Sequence, residues 1–316
     1  MTRVRKWGCA IILTPVIAIV LLMAAFYIPS VQRWVVKEIS EYASEKSGLS
    51  INMQKATITF LLDLDLHQLH IDDHGKDILN VEKATVDLDF WRILVMKVGV
   101  EAVELQNGNI DTRDLIATLQ LKGKLKDFHL RADNVDLLHN LVTLNGATIE
   151  GCNLDIAMKD TTMVDTTESA PVRWGMDIEQ VAIKKSQIML HMPYDSMTLQ
   201  AGLQEALLKS GDIDLEKGVY RIQKLKIQAD SLHYDLPYEP RKKEGLDPSH
   251  ITLYNLALDL ENTIFKQQDN YLSMNLRNLQ MKEKCGLSID TLKANLMMDN
   301  RSMLLEGLKL VTMHSK

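Results

Sequence analysis

Aromatic side chains are scarce, with Phe, Trp and Tyr together making up 5% of the 316 residues. Few ring platforms remain on which bases might stack, and a formal net charge of −6 gives no basic surface for a phosphate backbone. A nucleic-acid partner is therefore not expected. Only three cysteines occur, Cys9, Cys152 and Cys285, and no C-x-x-C spacing links them. That excludes a thiolate metal site and a disulfide framework, although an oxidising compartment would allow Cys152 and Cys285 to join. H-E-x-x-H, G-x-S-x-G, Walker-type G-x-x-x-x-G-K and G-x-G-x-x-G motifs are all missing. With no convergent polar constellation either, the chain does not read as an enzyme and no cofactor is implied. What is present is aliphatic. Hydrophobic residues reach 46%, mostly Leu, Ile, Val and Met, against 25% charged, a balance that excludes disorder.

The N-terminus divides into short zones. Residues 1–7 carry Arg3, Arg5 and Lys6, and residues 8–28, GCAIILTPVIAIVLLMAAFYI, run uncharged for 21 positions. At ~1.5 Å per residue this run spans roughly 30 Å, the hydrocarbon thickness of a bilayer. The basic residues precede it, whereas Arg33 and Lys37 beyond it are offset by Glu38 and Glu41, so the expected orientation is N-terminus in the cytoplasm. Trp7 and Tyr27 fall near the two interfaces. A cleaved signal peptide fits less well, because its apolar core is shorter and MAAFYIPS lacks a small-x-small site. Over residues 29–48, Val31, Trp34, Val35, Ile39 and Tyr42 recur at helical spacing and Gly48 supplies a stop, which predicts a juxtamembrane amphipathic helix.

From residue 49 to 316 the period changes from helical to alternating. Ile58, Phe60, Leu62, Leu64 and Leu66 alternate with mostly polar neighbours, His67 and Gln68 interrupt as a bulge, and Leu69 and Ile71 resume. DDHGKD turns the chain, and the next run brings Val86, Leu88 and Phe90 to the same side. A short pattern then recurs, apolar at i, i+2 and i+7. Its copies are Leu64, Leu66, Ile71; Val103, Leu105, Ile110; Val142, Leu144, Ile149; Val181, Ile183, Ile188; and Tyr220, Ile222, Ile227, each starting 39 residues after the last. After residue 227 the register slips. TTMVDTTESAP (161–171) and DLPYEPRKKEGLDP (235–248) read as loops, WRILVMK as a short helical turn, and MTLQAGLQEALLKSG as a strand.

The stretch FLLDLDLHQLHIDDHG (60–75) raises the question of a metal site. Asp63, Asp65, His70 and Asp72 share the outward face of one strand, but residues two apart stand about 7 Å from one another, too far to share an ion. Polar alternation on a one-sided sheet predicts the same residues, so no metal is expected.

No amphipathic helix of ten or more residues follows residue 48, so nothing in the sequence covers the apolar face. The expected fold is all-β: an elongated, twisted antiparallel sheet that closes on itself or forms an open apolar groove. The alternation runs into the last residues, MLLEGLKLVTMHSK, which reads as an array cut short. Sixteen methionines fit an adaptable apolar lining or plain core.

The N-terminal anchor, the juxtamembrane helix ending SEKSGLSI, LDLHQLHIDDHGKDILNVEKATVDLDFWRIL and VGVEAVELQNGNID together resemble the start of AsmA-like proteins. The likeness is greatest to the TamB branch, the inner-membrane subunit of the translocation and assembly module, and covers residues 1 to about 112. The resemblance implies a β-taco with an apolar interior in the periplasm, carrying membrane phospholipid between inner and outer membranes. It also implies an alternative, assistance to outer-membrane protein assembly by pairing with client strands or with an outer-membrane barrel partner. The family's C-terminal, partner-engaging domain has no counterpart in this sequence. The candidate lipid-lining residues are Leu62, Leu64, Leu66, Val86, Leu88, Val103, Leu105, Ile110, Leu144, Ile149, Ile183, Ile188, Ile222 and Ile227, each of which would also suit a closed core.

Overall fold

A computed structural model describes residues 28–58, 63–88, 100–115, 119–136, 141–158, 175–192, 196–214 and 217–312. The anchor expected over residues 8–28 lies outside them apart from Ile28, as do the turn expected over 91–97 and the loop 161–171. Among the described residues no helix is long and apolar enough to cross a membrane. The chain divides into two compact units, Met1–Glu101 and Ala102–Lys316. Both are built mainly of strands.

In the first unit, helix α1 (Pro29–Ser47) starts on a proline, whose fixed φ suits the first helical turn. It ends at Gly48, where φ is +72° and the amide donates to the Ser44 carbonyl at 2.9 Å. The expected helix therefore stands, with Trp34 62% exposed. Strands β1 (Ser50–Asn52) and β2 (Lys55–Ile58) lie end to end along β3 (Leu64–Asp73), and α1 packs against both. A hairpin joins β3 to β4 (Lys76–Leu88) through His74 and Gly75, both at positive φ, the pair of conformations that a type I′ turn needs. Leu69 stands opposite Val81 and Leu66 opposite Ala84, and this interior also takes in Leu64 and Ile78. Val81 is fully enclosed.

The second unit holds the chain from Ala102 within β5 (Val100–Asp111) to β15 (Met303–Thr312). Between them come β6 (Leu119–Asp136), β7 (Leu141–Glu150), β8 (Asn153–Met158), β9 (Gly175–Met192), β10 (Met197–Asp214) and β11 (Val219–Asp235). β12 (His250–Lys266), β13 (Tyr271–Glu283) and β14 (Ser288–Met298) follow. MTLQAGLQEALLKSG lies in β10 and is a strand, as expected. Neighbours pair antiparallel with one exception, which corrects the expectation of a purely antiparallel sheet. β7 and β8 both pair with β6, as one strand interrupted at Gly151 and Cys152, and both pair parallel with β9. Gly175 lies opposite Leu141, so the chain re-enters at the end where β7 began. Parallel neighbours need a crossover of a dozen residues or more, and residues 159–174 provide that length.

The recurring spacing has a backbone cause. In an undisturbed strand, residues five apart point to opposite faces. Gln68, Asn107 and Lys185, each at i+4 of its copy, adopt φ of 52°, 52° and 46°, a left-handed step that inverts the alternation. Ile110 consequently packs on the same buried cluster, Leu125, Cys152 and Leu154, as Leu105 does. In the other two copies Asn145 or Gln223 drops out of the ladder instead. The slip after residue 227 is explained by residues 236–249, a loop closed by the Leu236 amide on the Ser249 carbonyl at 2.9 Å. Beyond it Met274, Leu276 and Met281 restore the spacing on β13.

Gly123 serves a different need. A Cβ there would stand 2.0 Å from the Asn153 carbonyl oxygen, so β8 can approach β6 only because the side chain is missing. Cys152 is buried and Cys285 exposed, and both are free, so the pairing allowed by the sequence is not made. Burial raises the Cys152 thiol above its ordinary value.

At the β13–β14 turn, Glu283 is 7% exposed and accepts from the Thr252 amide at 3.2 Å and the Cys285 amide at 2.5 Å. Burial opposes its ionisation, but the hydrogen bonds from Cys285, Thr252 and Lys284 outweigh it and hold the carboxyl below its ordinary range. A depressed carboxyl stabilises the fold fully above the unfolded value of about 4.3 and loses that contribution as pH falls through the folded value. Glu283→Gln is expected to lower stability by ~1.5 kcal/mol at pH 7, with the gap to the parent narrowing below about pH 4 in urea titrations. At Asn255, φ is +49° within β12. Asn255→Val is expected to destabilise by ~1–2 kcal/mol while Asn255→Gly stays within ~0.5 kcal/mol, because only the first opposes the left-handed step. Equal losses in the two variants would count against the inversion.

Candidate functional site: the apolar face of the second unit

The register brings the candidate residues of the second unit together on one face. Leu105 stands opposite Phe128, Phe128 opposite Ile149, Ile149 opposite Ile183, Ile183 opposite Ala206 and Ala206 opposite Ile227. The row continues through Leu258, Leu279 and Leu292 to Leu310. Ten strands at ~4.8 Å spacing carry it over roughly 40 Å. Ile110 and Ile188 belong to a second row through Gly123 and Leu154, and Leu144 and Ile222 to a third through Ile178 and Gly211. Val103 begins a fourth, through Leu130, Ala147, Val181, Leu208, Leu225 and Leu260.

In the first unit Leu64 stands opposite Val86, with Leu64 and Leu66 buried and Val86 half-buried. Leu62 lies outside the described residues, and for Leu88 only its place in β4 is described.

Sequence reasoning missed the return strands, which contribute Phe128 and Leu130 from β6 and Leu258 and Leu260 from β12. Their signal is the same spacing read backwards. Leu253, Leu258 and Leu260 stand at i, i+5 and i+7 around Asn255, a left-handed residue of β12.

The long row is partly accessible along its length. From Leu105 to Leu292 every member of the long row is half-buried, and Leu310 is 50% exposed. Among the described residues the second unit contains no helix, and all its strands belong to a single sheet. The small closed cluster of Leu125, Cys152 and Leu154 is packed by Leu105, Ile110, Leu121 and Ile149.

The opposite face is polar and pairs across strands. His129 Nδ1 lies 2.8 Å from Glu104 Oε1, Lys185 Nζ 2.9 Å from Glu150 and Arg221 2.7 Å from Asp212. Glu261 accepts from Arg277 at 2.6 Å with Lys224 at 3.6 Å. The Arg277 hydrogen bond, assisted by both positive charges, keeps that carboxyl below its ordinary value against the opposing effect of burial. In the first unit, Asp65 accepts from Thr85 at 2.6 Å, and His70 lies 3.3 Å from Asp77. Asp65 and His70, both within residues 60–75, thus tie β3 to β4. Among the described residues no three His, Cys, Asp or Glu side chains converge on a point that would hold a metal ion.

An uncovered face tolerates a polar side chain that a closed interior rejects. Ile183→Asn is expected to lower unfolding stability by less than ~1.5 kcal/mol, and Leu154→Asn, at a residue 5% exposed, by ~3 kcal/mol or more. Equal losses in chemical denaturation would mean that Ile183 is closed off as well. No family model and no curated protein matches the chain.

Proposed function

We propose that this chain is an AsmA/TamB-like protein, anchored in the bacterial inner membrane, whose periplasmic sheet forms an apolar groove for phospholipid. The observation that carries the reading is the ten-strand apolar row, half-buried from Leu105 to Leu292 and 50% exposed at Leu310. A face of that length exposed to water is unfavourable at about 25 cal/mol per Å² of apolar surface, so it calls for an apolar occupant. An acyl chain satisfies it, gaining ~0.8 kcal/mol for each CH₂ removed from water. The transfer is passive. Acyl chains lie on the aliphatic side chains while the headgroup stays solvated, and lipid exchanges between the inner and outer membranes along the rows. The cytoplasmic N-terminus and single anchor of the sequence reading place the sheet in the periplasm.

A second reading is favoured by one feature. On β15, Met303, Leu304, Leu305, Leu308 and Leu310 are 43–65% exposed, and within the described residues the strand has one neighbour. Such an edge suits β-augmentation, in which a client strand or an outer-membrane barrel partner adds to the sheet and the protein acts as an assembly factor.

Photocrosslinking separates the two. With a crosslinker at Leu105 on the apolar face or at Glu104 on the polar face, labelled phospholipid in membranes is expected to give adducts at position 105 and not at 104. Well-folded protein with no lipid adduct at either position would sink the conduit, and protein adducts at Leu308 would then favour assembly.

A further inference from the structure

Helix α1 changes character along its length. The first unit's strands take part of its surface: it packs against β1 and β2, and Ser44 Oγ accepts from the Ile51 amide at 3.2 Å. On the surface left open, Trp34, Glu38, Glu41 and Glu45 stand at i, i+4, i+7 and i+11 and form one stripe. Arg33 and Lys37, also four apart, run beside it, and all six side chains are exposed. The ring and the two cations come first and the three carboxylates follow, with Lys37 and Glu41 paired at 3.6 Å. Trp34 is 62% exposed, and Ile28 at the N-cap 51%. The first unit therefore leaves most of the indole in water, which is unfavourable for a side chain of that apolar area.

On the reading of residues 8–28 as a membrane anchor, on which this inference rests, α1 begins at the bilayer surface, because Pro29 follows directly. Trp34 then lies at most ~9 Å beyond Ile28 along the helix axis. The headgroup layer on one side of a bilayer is roughly 5–7 Å thick. Glu41 and Glu45 lie about 20 and 25 Å along the same axis. We propose that the first half of α1 docks into the headgroup layer of the membrane that the anchor crosses, and that its second half rises clear of it. Trp34 suits that depth, since an indole joins an apolar body to a polar N–H. Arg33 and Lys37 flank it and meet lipid phosphates, a gain for each cation near an anionic surface. Glu38, Glu41 and Glu45 would be repelled by the same lipids if the helix lay flat, so the order of charges tilts it away. Because α1 packs against β1 and β2, docking holds the first unit at the membrane.

The test uses the full chain in vesicles of phosphatidylethanolamine and phosphatidylglycerol, with a fluorescent amino acid in place of Val20, Trp34 or Glu45 in separate proteins. The vesicle lipids carry a spin-label quencher either on the headgroup or deep in the acyl chain. The headgroup quencher is expected to act about fivefold more strongly at position 34 than at 45, and the deep quencher most strongly at position 20. Quenching at 20 with none at 34 would overturn the docking surface and spare the anchor. Equal headgroup quenching at 34 and 45 would mean a helix lying flat and would overturn the proposal as well. No quenching at 20 would overturn the anchor and the docking together. Arg33→Glu combined with Lys37→Glu is expected to lower headgroup quenching at 34 about fivefold in the same vesicles. An undiminished signal in that variant would overturn the part given to the two cations.

Discussion

Residues five apart on a strand belong to opposite faces, and the second unit depends on a backbone step that cancels this rule. Its strands reach 18 residues, and over such lengths a regular ladder would keep one strict parity from end to end. At Asn107, Lys185 and Asn255 a left-handed residue resets that parity near the middle of the strand. Adjacent strands reset at neighbouring positions, for otherwise apolar residues would face polar ones across the ladder. The step is unfavourable by about 1–2 kcal/mol for a residue with a side chain, and asparagine, which takes three of the six such sites named within strands β3–β12, tolerates it best.

Segregation of the faces follows from that register. Where neighbouring strands reset together, apolar residues meet apolar residues from β5 to β15, while Glu104 meets His129 and Lys226 meets Asp259 at 3.4 Å on the other side. The ion pairs are largely exposed, so each adds little to stability. Their effect is on pairing: a one-residue slip would set leucines against these charges. Stability then rests mainly on the backbone ladder and on half-buried apolar contacts. A sheet with one apolar face ordinarily buries that face against a second layer.

Much of this was legible in the chain. The apolar triplet at i, i+2 and i+7 already encoded an inverted strand, and the interruption at His67 and Gln68 marked one inversion directly. The turn was visible in DDHGKD, and the structure makes it a two-residue hairpin through His74 and Gly75, both at positive φ. Three things were not legible. The parallel step from β7 and β8 to β9 is set by where the chain re-enters the sheet, and alternation is blind to strand direction. The return strands hid because their spacing runs in reverse and small residues fill some positions, such as Gly123 and Ala206. Gly211 looked like any strand glycine, and its place in an apolar row emerged only from registers with β9 and β11 on either side.

The proposed role as a passive conduit would impose a condition that most binding sites do not: the cargo must gain nearly the same free energy at each step, or it stops. Equal aliphatic side chains row after row meet that condition better than aromatic platforms would, and the scarcity of rings in the chain is consistent with it. Half-burial helps in the same direction. A side chain already partly covered by its neighbours gains less from a passing acyl chain than an isolated one, so differences between rows are compressed. Departures from uniformity then matter most where they are deepest. Under that proposal the stacked rings of Tyr220 and Phe265, 5.8 Å apart between centroids, would be one such departure.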